Sequence, residues 1–180
     1  MNRWAKFFFY AVVPGGSLVA IWYFTRPLRS SLGYTSGPDM PWGIQINNPG
    51  NIETDPSNDW EGKKGTDTKV VDGVSHTHDV FDTPANGLRA VGIILAHYND
   101  PSLAGMASTW VGNPTAAAGY AKDVASGAGL PVTANVDLSD PAQMVLMMKG
   151  IVRAENGVGD WYADDVYNQA AQAAIAQVQA

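Results

Sequence analysis

The chain contains no cysteine, so disulfides and thiolate metal sites are excluded and no redox compartment is indicated. Histidine is nearly as scarce. His76, His78 and His97 are the only three. His76 and His78 alternate in a segment of strand character near Asp72 and Asp79, but this spacing is too loose for a ligand motif. No metal and no cofactor are expected. Beyond residue 30 positive charge is sparse too: seven lysines and arginines stand against seventeen aspartates and glutamates, an excess of ten negative charges. Nucleic acid is an unsuitable partner for such a surface, because phosphate contacts need clustered basic residues. Glutamate occurs only as Glu53, Glu61 and Glu155. No period of 20–50 residues repeats, which excludes solenoids and propellers.

One long apolar run is present. Residues 7–24 carry no charge, and at about 1.5 Å per helical residue they just span a hydrocarbon core of about 30 Å. Residues 1–6, with Arg3 and Lys6, form a basic flank; Arg26 and Arg29 follow the run, and Trp4 and Trp22-Tyr23 suit the two interfaces. No small-x-small cleavage site follows, so the expectation is an uncleaved single-pass anchor rather than a signal peptide. Pro14-Gly15-Gly16 weakens such a helix in mid-membrane. The free amine with Arg3 and Lys6 slightly favours the N-terminus inside, which would put the rest of the chain in the periplasm. Residues 25–41, rich in Ser, Gly, Pro and Thr, read as a linker. Residues 42–180 read as one folded domain.

Within that domain Asn47-Asn48-Pro49-Gly50-Asn51 concentrates turn formers. Residues 63–82 predict a β-hairpin around Asp72-Gly73. Helices are expected over 85–98 after Thr83-Pro84, from Pro101-Ser102 through Trp110, over 115–126 with Gly127 and Gly129 as stops, and over 164–178. Leu130 to Val136 reads as an extended link. The most sharply marked helix spans 140–157: Ser139 or Asp140 caps it, Pro141 suits its first position and Asn156-Gly157 ends it. Met144, Val145, Met147, Met148, Ile151 and Val152 give that helix a wide apolar face. Glu155 is then the last side chain of a buried helix, where burial and the carbonyl end of the dipole both disfavour its charge. A carboxyl that keeps its proton near neutral pH is what glycosidic cleavage needs as donor. The pattern is mainly α, of α+β type: a small hairpin lobe set into a helical body, the division of labour of a lysozyme-like fold.

Several short motifs in order strengthen that reading. Gly43-Ile44-Gln45-Ile46-Asn47-Asn48-Pro49-Gly50-Asn51-Ile52, Trp60-Glu61-Gly62, Val80-Phe81, Asn86-Gly87-Leu88-Arg89-Ala90 and Arg153-Ala154-Glu155-Asn156-Gly157 resemble a family of phage virion and lysis proteins. That family is muralytic and lysozyme-like, and acts on peptidoglycan. The middle of the chain is also similar to β-N-acetylglucosaminidases of the flagellar and autolysin type, including Gly119-Tyr120-Ala121. In those enzymes the catalytic glutamate precedes these elements, so the order here implies a circular permutation.

The resemblance implies a membrane-anchored peptidoglycan glycosidase, of the virion membrane or the bacterial inner membrane, that serves cell-wall penetration or lysis. Peptidoglycan glycan strands, lipid through residues 7–24 and other virion membrane proteins are its expected partners. Glu155 is the candidate general acid and Asp67 the candidate second carboxylate. Asn48, Asn51 and Tyr120 are candidates for bonding sugar substituents, Trp60 and Trp110 for stacking on sugar faces. Arg89 is expected to pair with a buried carboxylate and hold the lobes together. The sequence departs from the family at Glu53, where an arginine is usual, at His78, where an aromatic is usual, and in a shortened Trp110 segment. These departures, with the acidic balance, favour the alternative of a non-catalytic structural membrane protein of a virion.

Overall fold

The computed structural model describes residues 9–12, 18–21 and 40–180, apart from Asp72 and Asn113. The chain divides into two compact units, Met1–Ser31 and Leu32–Ala180. In the first, strand β1 (Phe9–Val12) pairs antiparallel with β2 (Leu18–Ile21), Phe9 opposite Ile21 and Val12 opposite Leu18. This corrects the expectation of a continuous helix over 7–24. Pro14 lacks a donor and Gly15-Gly16 favours a turn, while aromatic and β-branched neighbours suit extended backbone. Among the described residues no helix is long and apolar enough to cross a membrane. The remainder of the 7–24 run, the 1–6 flank and residues 25–39 lie outside the described residues.

The second unit is mixed α and β, a helical body carrying one two-stranded antiparallel sheet. A single turn, α1 (Trp42–Gln45), opens it, and the asparagine-rich loop follows. Strands β3 (Lys63–Val71) and β4 (Val74–Phe81) then pair with Val71 opposite Val74, so the strands reverse between those two residues, where the sequence predicts the turn. Gly73 takes φ +83° there.

Five helices complete the body. In α2 (Pro84–Ala96) Thr83 accepts the Asn86 N–H, and in α3 (Leu103–Val111) Ser102 accepts that of Gly105. Asp140 accepts the Ala142 N–H at the start of α5 (Pro141–Asn156), and Gly157 ends that helix with φ +79°. Helix α6 (Asp164–Val178) packs on α2 and α5. Leu88, Val91 and Leu95 of α2 and Met144, Met147, Met148, Ile151 and Val152 of α5 are almost fully enclosed, as their spacing requires.

Helix α4 (Pro114–Ala128) runs through Gly127 instead of stopping there. The reason is packing. A Cβ on Gly127 would stand 2.9 Å from the Gly150 Cα, and one on Gly150 would stand 2.6 Å from the Val124 carbonyl oxygen. The two glycines let α4 and α5 lie backbone to backbone, and the left-handed turn passes to Gly129 at φ +68°.

Asp79 of β4, which is fully buried, ties the two strands together and fastens them to the loop before the hairpin. Its Oδ1 accepts Thr54 Oγ1 at 2.9 Å and lies 2.9 Å from Lys63 Nζ. Removing one partner of such a pair strands a buried charge. Lys63→Ala is therefore expected to cost about 3 kcal/mol in urea unfolding. A loss within experimental error would show that solvent reaches Asp79.

Candidate active site

Three elements converge on Glu155 at the end of α5. Asn51 Nδ2 donates to Oε2 at 3.1 Å, while Trp110 Nε1 and Tyr120 Oη donate to Oε1 at 3.1 and 2.6 Å. Asn51 comes from the loop after α1, Trp110 from α3 and Tyr120 from α4. The glutamate is half-buried, and among the described residues no cation is bonded to it. Desolvation pushes its carboxyl above the ordinary glutamate value of 4.5, and the hydrogen bonds from Tyr120, Asn51 and Trp110 pull the other way without cancelling that effect. The group can hold a proton and, once it is lost, has three donors to stabilise the anion.

The loop that supplies Asn51 is built by its own amides. Asn48 is fully buried; its Nδ2 donates to the carbonyls of Ile52 and Asp79 at 2.9 and 2.8 Å, and its Oδ1 accepts the Ile52 N–H at 2.8 Å. Asn48 is thus saturated by backbone and shapes the loop. Asn51 itself sits in the left-handed region at φ +48°, a conformation asparagine tolerates better than most residues. Its side chain reaches Glu155 from there.

The other expected site residues lie apart from this cluster. Trp60 is half-buried just before β3, and among the described residues its indole N–H has no acceptor. Asp67 accepts Trp42 Nε1 at 2.8 Å through Oδ2 and the Thr68 N–H through Oδ1. Arg89 pairs with Glu61, whose carboxyl is 66% exposed, so the expected buried partner is corrected to a surface one. Two surface hollows, one beside Tyr98 and Asn135 and one beside Lys149 and Tyr162, exclude Glu155 as well.

Trp42 is the residue that sequence reasoning missed. Beyond its bond to Asp67, its ring meets His78 edge-on at 4.6 Å, with Lys69 Nζ 5.7 Å from its centroid. His78 thus packs as an aromatic against Trp42, and desolvation lowers its pKa, favouring the neutral imidazole. Trp42 adjoins Gly43, the start of a motif, and that adjacency was its one signal. A scan against protein-family models finds no match to the chain, and a search of curated proteins finds none.

The raised pKa has a consequence for stability. A carboxyl whose folded value exceeds its unfolded one contributes fully below about 4.5, and that contribution is lost as pH rises through the folded value. Glu155→Gln removes this dependence. Thermal unfolding is expected to shift in favour of the variant, relative to the unmodified chain, as pH rises from 4.5 to 8. A difference independent of pH would mean that Glu155 titrates normally.

Proposed function

We propose that the chain is a glycosidase of peptidoglycan with Glu155 as the proton donor. The observation that supports it is a half-buried carboxyl, desolvated and held by three neutral donors, with no cation bonded to it among the described residues. Oε1 accepts two hydrogen bonds and Oε2 only one, so the proton is carried on Oε2, beside Asn51. Delivered to a glycosidic oxygen, it leaves a carboxylate that the same donors stabilise. The hairpin and helical body fit a lysozyme-like arrangement, and the late position of Glu155 fits a circular permutation of it. Both remain part of this reading.

Asp67 is engaged by Trp42 and its own strand, which favours a reaction needing one carboxyl. As the glycosidic bond breaks, the muramyl 6-hydroxyl closes on the anomeric carbon and gives its proton to the Glu155 carboxylate, and its high effective molarity replaces an enzyme nucleophile. Trp110 acts through its N–H on Glu155 rather than as a stacking platform.

We assign membrane attachment to residues 7–24, where the run is uncharged and long enough. Residues 25–41 would then tether the enzyme to a virion or inner membrane.

Zymography on peptidoglycan with the full chain and with Glu155→Gln tests the reading. The unmodified protein is expected to clear the gel, and the variant to lose at least about a hundredfold in activity. An anhydro sugar, lighter by one water, is the expected product. Equal clearing by both proteins contradicts the role of Glu155; no clearing by either leaves a structural protein of a virion membrane.

A further inference from the structure

Three oxygens crowd the face of Gly43 on which a side chain would project. A Cβ built there would stand 2.7 Å from the Asn48 carbonyl oxygen, 2.8 Å from Asn156 Oδ1 and nearer still to Asn51 Oδ1. Two of these belong to side chains next to the proton donor: Asn51 bonds Glu155, and Asn156 follows it in the chain. Asn156 Oδ1 is buried without a hydrogen-bond partner, and Gly43 is what it faces. The other end of that amide is fully used. Nδ2 donates to Pro49 O at 2.6 Å and to Val152 O at 3.0 Å, tying the asparagine loop to the last turn of α5.

Pro49 stands two residues before Asn51, and Asn48 N–H donates to Gly43 O at 2.8 Å. The loop is therefore gripped twice just before Asn51, at Asn48 by Gly43 of α1 and at Pro49 by Asn156 of α5. We propose that Asn156 and Gly43 are positioning residues that hold the Asn51 amide on Glu155 Oε2. Asn156 acts through a hydrogen bond to Pro49, and Gly43 through the absence of a side chain. Neither touches the donor's carboxyl oxygens.

The inference rests on the proton-donor reading, because Oε2 is the oxygen assigned the proton. The Asn51 bond favours the anion, so it limits how far burial raises the donor's affinity for its proton. The titratable neighbour in contact is Tyr120 of α4; Trp110 of α3 and Asn51 of the loop are neutral, and α1 contributes no ionisable group. Displacing Asn51 leaves only the two bonds to Oε1.

Three glutamates make the test direct, since carbon-13 labelling of their carboxyls gives three titrating signals and Glu155→Gln assigns one. The full chain is titrated unmodified and as Asn51→Ala, Asn156→Ala, the double variant and Gly43→Ala. The expected result is that Asn156→Ala and Gly43→Ala raise the Glu155 midpoint by as much as Asn51→Ala, and that the double variant moves it no further. A raised midpoint in Asn51→Ala alone overturns the proposal, as does a double-variant shift equal to the two single shifts together. Should Asn156→Ala fail to fold, Gly43→Ala against Asn51→Ala makes the same comparison. An unmodified Glu155 in the ordinary range would instead sink the proton-donor reading and leave the packing intact.

Discussion

The desolvated carboxyl of Glu155 is the constraint around which the second unit is arranged. A glutamate at the end of a packed helix can be accommodated only if neighbours supply donors, because an unsatisfied buried carboxyl costs more than a hydrogen bond returns. Here the donors come from three places far apart in the chain: residues 51, 110 and 120. Each requires its own element to be in place. Helix α3 must bring Trp110 to α5, α4 must bring Tyr120, and the loop must turn left-handed at Asn51.

That requirement accounts for features that look unrelated. Gly127 and Gly150 allow α4 to approach α5 closely, which places Tyr120 within reach of the carboxyl. Asn48 directs its side-chain hydrogen bonds to backbone, while Asn51, three residues on, directs its own to Glu155. The hairpin joins through Trp42. Its ring lies against His78 and bonds Asp67, and the residue after it is pressed to the loop. A neutral His78 suits this contact, since a charged imidazole would carry a desolvation cost there.

Local signals made much of this legible in advance. Thr83, Ser102 and Asp140 cap their helices, Asp72-Gly73 turns the hairpin, and the methionine-rich face of α5 is buried, all for reasons contained in short windows of sequence. Tyr120, Asn51 and Trp110 were also singled out, but for contacts with sugar; their shared partner is a residue 35 to 104 positions away, which no local pattern reveals. Gly127 misled because a glycine that permits close helix packing and one that stops a helix look alike in sequence. Arg89 carried no sign of which carboxylate it would meet. In residues 7–24 the same apolar run satisfies helix and hairpin patterns, and Pro14-Gly15-Gly16 tips the described part toward strands.

The account stands on the proton of Glu155. Its most direct measurement is the carbon-13 titration of that carboxyl in the unmodified full chain. The midpoint is predicted to lie above the ordinary glutamate value of 4.5, because burial outweighs the three donors. A midpoint at or below 4.5 would mean that the donors win, and a carboxylate so stabilised would have no proton to give.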